Sequence, residues 1–270
     1  MKRLALILLA AFLAAAPARA DAPGVVVVMY AGSLVTPMQG PVAAALRDAG
    51  IVFEGQPGGS KALANLIASG LETPDVFISV DRAVVDTIAD KVASQTTFGT
   101  TQLGVAWEEK SNYAYVFASA AGGETPWLVA LAQPGLRIGR TDPRLDPKGE
   151  YTIEALTELV GAANEKRILG ADENPAQIYP EEELLARLDT GEIDVGFFYR
   201  TEAVARSLPF APFPGEASMS GHITYTLAVM KGAPHPAQAQ AFAAFMLQGR
   251  GREILERAGI TYVTPAADTP

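Results

Sequence analysis

The sequence predicts an α/β fold whose sheets carry helices on both faces, and three observations lead there. Apolar β-type runs alternate with helically spaced segments through most of the 270 residues, the signature of βα units. Two serine loops, Ala31-Gly32-Ser33-Leu34 and Gly58-Gly59-Ser60-Lys61, each follow an apolar run and precede a helical segment. The chain has no cysteine, so its interior must be held by burial alone, for which a chain of this length is sufficient.

The elements follow in order. Val25–Met29 is an unbroken apolar run and reads as a buried strand, followed by a helix over Pro41–Asp48. Ile51–Phe53 reads as a short strand, and Lys61–Ser69 as a helix with Leu63, Leu66 and Ile67 on one face. Asp75–Val80 is a strand and Arg82–Asp90 a helix. Tyr113–Ala118 reads as a strand before a turn at Gly122-Gly123. Leu136–Gly139 is a further strand, and Thr152–Ala163 and Glu181–Asp189 are helices. Val195–Tyr199 and Ile223–Met230 are strands, and the helices Ala237–Leu247 and Gly251–Ala258 close the chain. Two extended segments, Leu103–Phe117 and His222–Val229, are natural crossings between a discontinuous lobe and an inserted one. The expected division is a first lobe of residues 21–110 plus 224–270 and a second of 111–223.

Composition narrows the function. Residues 1–20 read as a signal peptide: Lys2 and Arg3 precede the apolar Leu4–Ala16, and Ala18-Arg19-Ala20 is an A-x-A cleavage site. The expectation is an exported, periplasmic protein, and the apolar stretch is too short to span a bilayer. Without Lys2, Arg3 and Arg19 the 21 basic residues become 18 against 30 acidic, moving the formal charge from −9 to −12. Such a chain lacks the basic face that nucleic acid requires. The absence of cysteine excludes thiolate metal sites and thiol nucleophiles. The only histidines are His222 and His235, so a zinc centre is not expected, and neither is any resident cofactor.

The serine loops carry the chemistry. Ligand sites in α/β sheets lie beyond the carboxyl ends of strands, and Ser33, Ser60 and Tyr199 all sit there. A hydroxyl with exposed backbone N–H groups at a helix start suits an anion. Each residue also has a plainer reading. Ser33 serves equally as a helix cap, the Gly58-Gly59 pair as a tight turn, and Tyr199 as a core ring with a satisfied hydroxyl. Asp146, between Leu145 and Pro147, fits an Asx turn that fixes its loop. Lys148 offers its backbone N–H, with its side chain in solvent, and Arg140 suits a surface salt bridge. Glu181-Glu182-Glu183 is an ordinary acidic helix start in which only the backbone serves an anion. Ser60, as a loop serine, is expected to contribute little to stability.

The ordered set of AGSL (Ala31–Leu34), GGS (Gly58–Ser60), DVFISVD (Asp75–Asp81), IGRTDPRLDPKGEYT (Ile138–Thr152), GEIDVGFFYRTEA (Gly191–Ala203) and YTLAVMKGAPHP (Tyr225–Pro236) resembles the periplasmic molybdate/tungstate-binding proteins of ABC importers. The likeness is greatest to their archaeal-type branch. It implies a two-lobed periplasmic-binding-protein fold of the second type, with mixed sheets flanked by helices, closing over a tetrahedral oxyanion. It further implies that Ser33 and Ser60 each give a hydroxyl and a backbone N–H. The opposite lobe is expected to give the backbone N–H of Lys148, that near Glu181, and the Tyr199 hydroxyl. The archaeal-type branch completes a six-coordinate metal with two carboxylates. Asp146 matches the first, and Phe198 stands where the second belongs, which favours four-coordinate, hydrogen-bonded capture. Glu150 and Glu202 are the alternatives if a second carboxylate is needed.

The expected partners are a small oxyanion and the importer's permease, with the chain itself a monomer. Sulfate, phosphate or a ferric complex is the alternative cargo. An exported serine hydrolase is the reading from another class. It lacks a G-x-S-x-G elbow, and neither histidine lies in a segment expected to approach these serines as a base.

Overall fold

The computed structural model describes residues 24–264, so the expected signal peptide lies outside the described residues. Two sheets organise the chain. The larger contains β1 (Gly24–Ala31), β2 (Ile51–Gly58), β3 (Val76–Val80), β4 (Val92–Thr100), β9 (Thr224–Met230) and β10 (Thr261–Tyr262), in the order β10-β4-β9-β3-β1-β2. The smaller contains β5 (Leu103–Trp107), β6 (Ile138–Gly139), β7 (Val195–Tyr199) and β8 (Phe210–Pro212), in the order β6-β7-β5-β8. Both are mixed. β1 runs parallel to β2 and β3, whereas β9 runs antiparallel to β3 and β4. β7 is parallel to β6 and antiparallel to β5.

Period-two alternation in β1 explains how it is covered on both faces. Val26, Val28 and Tyr30 face Met38, Val42, Leu46 and Phe242. Met29 faces the other way, into Leu63, Ala64 and Ile67 of the helix Ser60–Ala68 and Phe77 of β3. All residues of β3, β5 and β7 are buried, as expected of strands with helices on each side. The apolar interior is continuous from β1 through Leu103 and Val105 to Phe197, so the two sheets share one core cluster.

Two expectations are corrected. Tyr113–Ala118 is not a strand but lies largely in the helix Ala114–Ala121. Its alanines favour helix, and Phe117 and Ala120, three apart, form its buried side. The chain also changes sheets earlier than residue 110: β5 hydrogen-bonds to β7 and β8, so the first crossing lies between Thr100 and Leu103. The return crossing lies between Pro212 and Thr224.

Candidate functional site

The register of β1 and β2 builds the first half of the site. Ala31 pairs with Gly58, so the two parallel strands end level and release Gly32-Ser33 and Gly59-Ser60 side by side. Gly32–Leu34 forms one 3-10 turn in which Ser33 caps no helix, so the capping alternative gives way. The Ser33 hydroxyl lies 3.4 Å from the Tyr225 hydroxyl, which is itself 2.9 Å from that of Thr201. Ser60 begins the helix Ser60–Ala68 and is fully buried. Its Oγ accepts the Val80 N–H at 3.0 Å, which leaves the hydroxyl proton free to donate. This serine therefore holds the end of β3 in place, contrary to the expectation that it contributes little to stability.

The second half is charged. Asp146 caps the helix Pro147–Val160, with Pro147 in the first helical position where its missing N–H is harmless. Asp146 Oδ1 accepts the Lys148 N–H at 2.6 Å and the Thr141 hydroxyl at 3.3 Å. The Lys148 side chain turns inward and is completely buried. Its Nζ donates to both Glu202 carboxylate oxygens at 2.9 and 3.0 Å, and Glu181 Oε1 lies 3.4 Å away. The rings of Phe198 and Tyr199 lie 5.7 and 5.3 Å from that ammonium, within range of cation–π attraction. Glu202 also reaches back to accept the Tyr199 N–H at 2.8 Å.

Glu181 joins the halves. Its Oε2 accepts the Gly32 N–H at 2.7 Å from the opposite sheet's loop. Three buried polar atoms in this linked cluster have no hydrogen-bond partner: Asp146 Oδ2, Glu181 Oε1 and the Tyr199 hydroxyl. A cavity of about 400 Å³, lined by Gly58, Gly59, Leu145, Asp146, Tyr179 and Glu181 among others, opens beside the first two of these residues.

Burial sets the protonation states. It pushes the Glu181 carboxyl up to about 8, with Asp146 adding to the rise and Lys148 opposing it. Burial likewise brings Glu202 to about 7 against the pull of Lys148. Asp146 is raised by burial, which outweighs the lowering by Lys148. Burial works against the Lys148 ammonium, but Glu202, Glu181 and Asp146 outweigh it and hold its pKa above the ordinary lysine range. The Tyr199 hydroxyl is raised by burial and then by Asp146 and Glu181. Near neutral pH the cluster therefore keeps the Lys148 cation, a Glu181 carboxyl raised by burial, and neutral hydroxyls.

The structure links Gly32, Asp146, Lys148, Glu181 and Tyr199 in one network through Glu202, with Ser33 next to Gly32 in the chain and Ser60 bonded separately to Val80, but assigns several of them differently from the sequence. The Lys148 N–H points at Asp146 and its side chain is buried, not solvated. Glu181 contributes its carboxylate as well as its helix start. Arg140 is buried and donates to the carbonyls of Ala171 and Asp172; it forms no surface salt bridge. Phe198 is packed in the core beneath Lys148. Of the alternative carboxylates, Glu150 pairs with Lys61 near the surface, whereas Glu202 is buried on Lys148. Among the described residues no group of three or more histidine or acidic side chains is arranged to hold a metal ion. Asp146 has Glu181 as its immediate carboxyl neighbour.

The chain matches the family described as bacterial extracellular solute-binding protein over residues 26–261. A Haloferax volcanii protein provisionally assigned as a molybdenum-binding protein of an ABC transporter is 33% identical over 63% of this chain. The match spans 54% of that relative, little more than half its length. The molybdate-binding protein ModA of Escherichia coli is 29% identical, with 93% of each chain covered. The periplasmic molybdate-binding protein of Azotobacter vinelandii shares the fold, with a TM-score of 0.68, 19% identity, and coverage of 88% of this chain and 99% of that one. The two mixed sheets with flanking helices are thus those of a periplasmic-binding-protein fold, and the chain belongs to the bacterial extracellular solute-binding protein family.

Proposed function

We propose that this protein captures molybdate or tungstate between its two sheets and delivers it in the periplasm to the permease of an ABC importer, acting as a monomer without catalysis. The observation that carries this reading is the set of buried atoms without hydrogen-bond partners on Asp146, Glu181 and Tyr199, in the half of the site opposite the two serine loops. Buried polar atoms are almost always hydrogen-bonded, and an oxyanion supplies acceptors for hydroxyl and protonated carboxyl donors. Ser33, Ser60 and Tyr199 give neutral donors, and burial and the hydrogen bond to Asp146 raise the Glu181 carboxyl, which limits the negative charge beside the anion. The Lys148 ammonium offsets the charge of Glu202 below them. Replacing the anion's water with fixed donors in a dry site makes the exchange favourable.

Hydrolysis has no support in these contacts. Ser60 Oγ is engaged with Val80, and His235 is tied to Asp75, 2.9 Å away, at the opposite end of β3 from Val80. Among the described residues no helix is long and apolar enough to cross a membrane.

A thermal-shift and calorimetry panel of molybdate, tungstate, sulfate, phosphate and ferric citrate tests the proposal. Molybdate or tungstate at a thousandfold excess over Kd should stabilise by about 4 kcal/mol. A response confined to sulfate, phosphate or iron would overturn the cargo assignment.

A further inference from the structure

Each serine of the first sheet's loops is preceded by a glycine, and neither glycine is required by its own backbone. Gly59 has φ −61° and Gly32 is not in the left-handed region, so an L-residue could adopt both conformations. The reason for glycine lies across the cleft. A Cβ at Gly59 would stand 2.6 Å from the Leu145 carbonyl oxygen and 3.2 Å from Asp146 Cβ. A Cβ at Gly32 would stand 2.9 Å from the Glu182 backbone nitrogen and 3.0 Å from Glu181 Oε2. Every one of these neighbours belongs to the segments that flank the smaller sheet. None belongs to the glycine's own half.

We propose that Gly32 and Gly59 are positioning residues that set how closely the two halves of the site approach, and hence whether Ser33 and Ser60 reach the same anion as the residues opposite. The proposal rests on the function proposed above. The seam around them is stitched at the same points. Gly32 N–H donates to Glu181 Oε2 at 2.7 Å, and Ala62 N–H donates to the Leu145 carbonyl at 3.0 Å. Lys61 Nζ donates to the Pro143 carbonyl at 3.0 Å and pairs with Glu150 at 2.5 Å. The contacts at Leu145 and Glu182 are with backbone, which cannot rotate aside as a side-chain tip can. To relieve them, an added methyl must push the halves apart, because ordinary contact begins near 3.4 Å. The separation that results is transmitted directly to the adjoining serine.

The experiment uses Gly32→Ala and Gly59→Ala, with Gly40→Ala and Gly221→Ala as controls where a Cβ meets nothing within 4 Å. Molybdate binding is measured by calorimetry. The distance between the halves is measured between spin labels on Leu71→Cys and Tyr115→Cys, exposed positions in a chain with no native cysteine. Alanine at Gly59 replaces glycine at a helix N-cap and lowers stability somewhat, but it does so whatever the spacing of the halves.

Expected are a tenfold or greater loss of molybdate affinity in each site variant, a lengthened or broadened label distance, and wild-type behaviour in both controls. Site variants that bind within threefold of wild type, or that lose binding with the label distance unchanged, would overturn the proposal. If the wild-type protein binds no oxyanion, the proposed function fails by itself. The label distances of the variants against wild type then still decide whether the glycines set the spacing.

Discussion

The two halves of the site differ in how they were built. The half beside the larger sheet is neutral and local: two Gly-Ser pairs, placed level by the pairing of Ala31 with Gly58. The half beside the smaller sheet is charged and assembled from distant segments, with Asp146 and Lys148 on one helix, Glu181 on a second and Glu202 on a third. The neutral half depends on strand register, which follows from backbone pairing. The charged half depends on burying an ammonium among carboxyls, and each member is costly without the others. The neutral half should therefore lose binding with smaller stability losses, and the charged half should fail in stability first.

Lys148→Met provides the most severe test of that contrast. It leaves Glu202 and Glu181 buried without their cation, a change that typically costs about 3–5 kcal/mol. Urea denaturation should show the loss growing as pH rises, because the carboxyls' escape by protonation becomes steadily more costly. Adding Glu202→Gln should recover part of it. A variant as stable as wild type at pH 8.5 would break the comparison.

The pH dependence of the unmodified protein comes next. Glu181 and Glu202 are raised by burial to about 8 and about 7, so the folded state binds more protons than the unfolded chain above their ordinary values near 4.5. The slope of stability with pH is then negative. Stability should be greatest near pH 5 and fall as pH rises through 7 and 8, with Glu181→Gln flattening the curve. Melting temperatures across pH 5–9 measure this, and a curve that rises toward pH 8.5 would contradict the assigned burial effects.

The smallest effects separate the two serines within the neutral half. Ser60→Ala orphans the Val80 N–H, a loss of about 1–3 kcal/mol. Ser33 has only the 3.4 Å contact with Tyr225, which keeps Thr201 as a partner, so Ser33→Ala should cost about 1 kcal/mol or less. Both should weaken molybdate binding. Paired denaturation and calorimetry would sharpen the distinction, and equal stability losses would remove it.

The same contrast explains what could be read from the sequence. AGS and GGS each follow an apolar strand, so the neutral half was visible as local motifs. Most helices and the strands at Val25, Asp75 and Val195 were visible for the same reason. β4 was not, because VASQTTFGT lacks an apolar run, and only its pairing with β9 makes it a strand. Nothing in Glu181-Glu182-Glu183 shows which carboxyl faces inward; the packing of Leu184, Leu185 and Leu188 decides it. Glu202 is legible in the sequence only as a spare carboxylate beside Glu150, and nothing local shows that it is buried on Lys148. A four-residue spacing from Phe198, on the turn following a fully buried strand, was the only available signal that it is interior.

The central claim is that one oxyanion sits between the neutral and charged halves. Anomalous diffraction at the molybdenum edge, from crystals grown with molybdate, tests it most directly. The account predicts a single strong peak within hydrogen-bonding reach, through its oxygens, of the Ser33, Ser60 and Tyr199 hydroxyls and beside Asp146 and Glu181. A peak elsewhere on the molecule, or none at saturating molybdate, would contradict it.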